Sequence, residues 1–177
     1  AAAADLTSRG YTVRLHARNP ERLKPLRERG GIEARGVLQG FVPIATITTD
    51  VAEAIEGADL IMLVVPSVAH EYYAQVLAPL LGPDRPVFLN PGHTGGGLHF
   101  VHELRGAGYR QAAKTCETIS LTYICRMEGP ATVGIYTYTK QLGFAAFPGK
   151  HSSQLYGLLQ PLYPEIVLRS SVLETAL

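Results

Sequence analysis

The sequence predicts an α/β protein in which a mostly parallel sheet is covered by helices on both faces, a doubly wound arrangement. Three observations predict it. The run Leu60-Ile61-Met62-Leu63-Val64-Val65 contains no polar residue, and a strand without polar alternation is one buried on both faces, as in the middle of a parallel sheet. Pro66-Ser67 stops that run and leads into a helical pattern, so the carboxyl end of the strand opens toward a crevice. Strand-like and helix-like segments then alternate along the whole chain with short loops.

Taken in order, residues 1–9 read as a helix, with four alanines, Asp5 and Leu6, closed by Gly10 at the position that favours a left-handed residue. Residues 11–16 alternate and are rich in β-formers. Asn19 and Pro20 then supply an N-cap and a first-turn proline for a basic helix over 20–29, which Pro25 is expected to kink or restart. Residues 32–47 carry short β-like pieces broken by Gly36, Gly40 and Pro43, consistent with a third strand elaborated by a hairpin. Thr49-Asp50 caps a helix over 51–56. After the apolar strand at 60–65 come a helix over 68–81, a strand at 87–89 ending in Asn90-Pro91-Gly92, and a helix from 98 to 104 entered through Gly95-Gly96-Gly97. Residues 111–117 form the next strand. Residues 131–139 and 142–147 are expected to pair as a hairpin, followed by a helix over 154–160 and a strand at 165–168. Residues 172–177 read as the first turns of a further helix.

At 177 residues the chain is long enough for a real core, burying roughly 70% of its unfolded surface. A net charge of +1, with no basic block and no interleaving of basic and aromatic residues, argues against a nucleic-acid partner. No apolar run approaches the roughly 18 residues a membrane helix needs, and the amino terminus has no basic-then-apolar leader, so a cytoplasmic location without a membrane partner is expected. Cys116 and Cys125 match no zinc or redox spacing and are expected as free thiols. His99 and His102-Glu103 fit neither zinc-helix pattern, so with His93 they read as surface histidines, and no metal is expected.

A dinucleotide-binding Rossmann sheet begins with a strand, a G-x-G-x-x-G/A turn and a helix whose amino end faces the pyrophosphate. Residues 1–18 supply the helix and second strand of such a unit without its first strand or glycine-rich turn, so the native protein is expected to be longer at its amino end. Arg18-Asn19-Pro20-Glu21-Arg22, Thr49-Asp50 with Ala54, Ala58-Asp59-Leu60-Ile61 running to Val65-Pro66-Ser67 and His70, and Cys116-Glu117-Thr118 with Tyr123 and Cys125-Arg126 resemble the dinucleotide domain of the octopine/nopaline (opine) dehydrogenases. Ketopantoate reductases and glycerol-3-phosphate dehydrogenases share the strand-Pro-helix pattern. The resemblance implies an NAD(P)-dependent oxidoreductase that reduces the imine formed from an amino acid and a 2-oxo acid. It makes residues 1–171 the Rossmann domain and 172–177 the start of a helical domain that carries the family's catalytic histidine. No catalytic residue is therefore carried over onto this chain, which alone is expected to be inactive. A non-catalytic NADPH-binding module is the alternative from another class, and a homodimer is the expected assembly.

Arg18 stands where an acidic residue would bind the ribose 2′-OH of NAD and an arginine would accommodate a 2′-phosphate, so with Asn19 beside it NADP is expected ahead of NAD. A solvated arginine is the competing reading. Val65, Pro66, Ser67 and His70, at the tip of the fourth strand, are expected to form a cofactor wall, against a plain strand-to-helix turn capped by Ser67. Asn90 and Pro91 end the fifth strand beside the same crevice, with a turn-forming Asn-Pro as the alternative. Glu117 is the charged residue expected on the nicotinamide side, and an ion pair with Arg126 is its rival role.

Overall fold

A computed structural model describes residues 1–176. In chain order its elements are α1 (Ala2–Ser8), β1 (Arg14–His16), α2 (Pro20–Arg29), β2 (Gly31–Gly36), β3 (Gly40–Pro43), β4 (Thr46–Thr48), α3 (Val51–Ile55), β5 (Ile61–Leu63) and α4 (His70–Leu77). There follow β6 (Val87–Leu89), α5 (Gly96–Gly106), β7 (Thr115–Thr118), β8 (Tyr123–Gly129), β9 (Thr132–Tyr138), β10 (Leu142–Phe147), α6 (Ser152–Leu159) and β11 (Ile166–Leu168). The chain divides into two units, Ala1–Gly57 with Tyr123–Tyr138, and Ala58–Thr122 with the residues from Thr139 onward.

In the first unit local sequence sets the helix ends. Gly10 takes φ +90°, which lets its N–H reach the Thr7 carbonyl and the Tyr11 N–H reach that of Leu6, the two-bond closure of a helix terminus. Asn19 accepts from the Glu21 N–H at 2.9 Å and Asp50 from the Ala52 N–H at 2.8 Å, as the capping signals predict. Pro25 does not break α2: the carbonyl four positions before it belongs to exposed Glu21, while Leu23 and Leu26 stay buried. β1 pairs in parallel with β4, and Arg14 donates to the carbonyls of Glu53 and Glu56 at the carboxyl end of α3, where a cation is favoured.

The same unit holds a four-stranded sheet of order β3-β2-β9-β8. The hairpin expected between residues 131–139 and 142–147 does not form. β9 does not pair with β10; it folds back across Gly129-Pro130 onto β8, a strand the pattern did not predict, and runs parallel to β2. β8 hides because Ile124 and Met127 are 57% and 59% exposed, so its apolar residues do not report a buried face. β10 is apolar and buried along almost its whole length, whereas β9 has exposed residues at its carboxyl end, so the two suit different surroundings.

In the second unit the sheet order is β11-β10-β7-β6-β5, with β5, β6, β7 parallel, β10 antiparallel to β7, and β11 parallel to β10. Phe88 and Phe144 fill its core, with ring centroids 6.4 Å apart and Tyr163 and Tyr156 packed against them. The two parallel sets, β4-β1 and β5-β6-β7, follow the strand sequence of the two halves of a doubly wound sheet, so the fold is Rossmann-like. No described residue forms the first strand of that order.

The run at 60–65 is less buried than expected. β5 covers only Ile61–Leu63, and Val64 is 47% exposed because β5 ends its sheet, bonded to β6 alone, and residue 64 lies past its carboxyl end. The helix expected over 68–81 is a 3-10 turn at Ser67–Ala69 followed by α4. Glu174–Ala176 forms a 3-10 turn where a longer helix was expected to start, and residue 177 lies outside the described residues.

Asp5 fastens the first unit together. It is 2% exposed, one oxygen accepts the Tyr123 hydroxyl at 2.8 Å and the other the Tyr138 hydroxyl at 2.8 Å, and Arg9 lies at 3.3 Å. Hydrogen bonds to a charged acceptor contribute about 1.5–3 kcal/mol each. Asp5→Ala is therefore expected to cost about 2–4 kcal/mol and Tyr123→Phe about half as much. Urea denaturation measures both, and a loss below about 0.5 kcal/mol for Asp5→Ala would remove this network from the account.

Candidate functional site at the carboxyl ends of the parallel strands

The register pairs Leu63 with Leu89 and Leu89 with Glu117, so β5, β6 and β7 reach the same level and their outgoing loops share one edge of the second unit's sheet. Val65 is half-buried and Pro66 and Ser67 are exposed in the loop after β5. Ser67 does not cap α4, whose N-cap position is Ala69 with no side-chain bond. Val68, in the same turn, is 90% exposed.

His70, the first residue of α4, is neither a turn nor a surface histidine. It is 1% exposed, edge-on to Phe100 with ring centroids 6.4 Å apart, and neither ring nitrogen has a hydrogen-bond partner. Burial lowers its pKa below the usual histidine value, helped by the nearby His99 and His93, so the ring is neutral at pH 7.

Asn90 is buried and its amide is committed within the protein. Its Nδ2 donates to Thr122 Oγ1 at 2.8 Å and its Oδ1 accepts from the Thr122 N–H at 3.1 Å. Pro91 follows through a cis peptide bond, and the Gly92 N–H donates to the Thr118 carbonyl at 2.9 Å. The loops after β6 and β7 are thus tied to each other. Thr122 was not singled out by the sequence, because a clamp across 32 positions leaves no local pattern.

Glu117 is fully buried between Leu89 of β6 and Ala145 of β10. One carboxyl oxygen accepts the Gly97 N–H, so its partner is a helix amide rather than a cation; the other oxygen has no partner. Arg126, its expected ion-pair partner, lies exposed on β8 of the first unit. Burial pushes the Glu117 carboxyl up to about 7, an effect the Gly97 bond only partly offsets. The backbone closes tightly round it: a Cβ on Gly92 would stand 2.6 Å from the Glu117 Cβ, and one on Gly97 2.8 Å from Oε2. The glycines read from sequence as a helix entry are therefore also a cradle for this carboxyl.

In the first unit Arg18 is exposed just past the carboxyl end of β1, and the Asn19 side chain is taken up by its cap. His93, His99 and His102 are exposed, with His99 3.4 Å from Glu103. Among the described residues no three His, Cys, Asp or Glu side chains gather to hold a metal. Cys116 and Cys125 are free thiols, and no helix among the described residues is long and apolar enough to cross a membrane.

The raised carboxyl has a pH consequence. From the ordinary value of 4.5 up to about 7, the folded chain holds a proton that the unfolded chain has released, so stability falls as pH rises through that window. Relative to Glu117→Gln, the wild type is expected to lose on the order of 3 kcal/mol between pH 4.5 and 7, and nothing further above it. Denaturation of both proteins across this range measures it. Parallel stability profiles would show that Glu117 does not titrate as its burial requires.

No protein-family model matches the chain. It is 32% identical over 176 residues to an opine dehydrogenase of Arthrobacter sp. (strain 1C), an alignment covering 99% of this chain and 49% of that protein. The chain thus spans about half the length of that relative. Octopine dehydrogenase solved with NADH and pyruvate superposes with a TM-score of 0.82 at 22% identity, over 99% of this chain and 48% of that one. Yersinopine dehydrogenase with NADP+ bound superposes with a TM-score of 0.73 at 18% identity, over 98% and 46%. By sequence and by fold, the chain is a homologue of the opine dehydrogenases, corresponding to about half of their length.

Proposed function

We propose that this chain is the dinucleotide-binding part of an NAD(P)-dependent oxidoreductase of opine dehydrogenase type, acting on the imine of an amino acid and a 2-oxo acid. The observation that carries the reading is the 32% identity to an opine dehydrogenase along 99% of the chain. Solved relatives hold NADH or NADP+, and residues 1–171 are read as one Rossmann domain with 172–177 opening the next.

The residues present fit such a cofactor. In the first unit Arg18 offers an exposed cation past a parallel strand, the place where a 2′-phosphate is read, which favours NADP over NAD. In the second unit Val65, Pro66 and Ser67 supply a wall with an apolar component at the carboxyl end of β5. Asn90, Pro91, His70 and Glu117 shape the same edge from beneath, since all four are buried. The bound nicotinamide supplies hydride. The chain's own groups bind it, orient it and keep water from one face, and no residue here is assigned as acid or base. The two free thiols agree with a cytoplasmic location.

Fluorescence titration of the full chain with NADPH and NADH tests the reading. NADPH is expected to bind more tightly, and Arg18→Asp to weaken it by about tenfold, near 1.4 kcal/mol, while leaving NADH within a few-fold. Failure of the folded protein to bind either nucleotide would end the proposal. In a protein extended through the helical domain that the resemblance implies, binding without NADPH oxidation in the presence of an amino acid and a 2-oxo acid would leave a nucleotide-binding module in place of an enzyme.

A further inference from the structure

Helix α5 begins with glycines and has no side-chain cap of its own, so its first amides need acceptors from elsewhere. One comes from a strand: Glu117, twenty positions further along, accepts the Gly97 N–H in the way an N-cap side chain would. A carboxylate there also meets the positive end of an 11-residue helix dipole. The loop leading to the helix is folded round the same side chain, with Gly92 on one side and Gly97 on the other at separations no Cβ tolerates. Glu117 is fully buried under this loop.

We infer that Glu117 is a positioning residue. Its carboxyl holds the start of α5 and residues 92–97 in place at the carboxyl edge of the sheet, and it shapes the nucleotide site without touching the nucleotide. The inference rests on the dinucleotide-binding reading above for its functional consequence, but the hold on α5 stands on the geometry alone.

The groups round the carboxyl are few. From α4, His70 flanks the same glycine: a Cβ on Gly96 would lie 3.8 Å from the His70 Cε1 and 3.5 Å from Glu117 Oε2. His93 in the loop and His99 on α5 act electrostatically on His70, and Cys116 on β7 couples to Glu117 while its thiol donates toward the Val87 carbonyl. β6 and β10 present uncharged Leu89 and Ala145. Opening of the loop would let water reach the carboxyl and return it toward its ordinary value, so by linkage opening becomes easier as pH rises toward 7. The loop is held most firmly when Glu117 carries its proton.

The experiment is amide hydrogen exchange of residues 96–100 in the full chain, corrected for intrinsic rates, on wild type, Glu117→Gln and Glu117→Ala at pH 6 and 8, alongside NADPH titration. Glu117→Ala is expected to speed exchange by about tenfold or more, the equivalent of one lost hydrogen bond. Glu117→Gln keeps an acceptor and is expected to match wild type at pH 6, and to be better protected than wild type at pH 8. Nucleotide affinity should be within about threefold of wild type for Gln and at least about fivefold weaker for Ala, a split near 1 kcal/mol. Unchanged exchange in Glu117→Ala would overturn the inference. Loss of NADPH binding in Glu117→Gln with exchange still protected would place the carboxyl on the nucleotide instead. If even the wild type binds no nucleotide, the functional proposal fails, and the exchange results still decide the hold on α5.

Discussion

The in-register ending of β5, β6 and β7 is the constraint from which the candidate site follows. Because Leu63, Leu89 and Glu117 stand at one level, three loops leave the sheet side by side. Each must then settle its backbone polar groups against the others. Asn90 does this for the loop after β7 through Thr122, and the Thr118 carbonyl does it for Gly92. A parallel sheet covered by helices has little room at this edge, so the side chain next to the end of β7, Glu117, becomes an interior group although it is a glutamate. Its burial in turn requires glycine at 92 and 97, since only a residue without Cβ lets the backbone close over it.

The two units solve the problem of a buried carboxylate in different ways. Asp5 in the first unit has two tyrosine hydroxyls and an arginine, so each oxygen has a donor and the helix is tied to the β8–β9 hairpin. Glu117 in the second has one amide and an oxygen with no partner. Buried charge is tolerated when it is fully paired and otherwise shifts toward its neutral form. The first arrangement ties helix to hairpin; the second makes the carboxyl edge respond near neutrality.

Local chemistry is what the sequence states clearly. Asn19, Asp50 and Gly10 mark helix ends because capping involves residues two to five positions apart, and all three serve as read. Strand partners are another matter. β9 and β10 are separated by three residues, which suggests a hairpin, yet their different burial sends them to different sheets and different units. For the candidate site, strand ends located His70, Asn90 and Glu117 at the carboxyl edge of β5, β6 and β7. Their roles were hidden because each rests on a distant residue: Thr122 for Asn90, Gly97 for Glu117, Phe100 for His70. Spacing carries no information about such contacts.

What remains is why a fold would keep these groups buried. An unmatched buried polar atom costs about 1–3 kcal/mol, and both His70 nitrogens and one Glu117 oxygen are unmatched. An apolar residue at 70 would remove its share of that cost without disturbing β5, β6 or β7, whose pairing is made by backbone. At 117 an apolar residue would instead leave the Gly97 N–H without its acceptor. Local rules of this kind are broken where function requires it, and here the breach lies at the carboxyl edge, where sheets of this type receive their ligands. Under the dinucleotide-binding reading proposed above, the cost thus falls on the part of the molecule that has to be held in one arrangement for a nucleotide to be read.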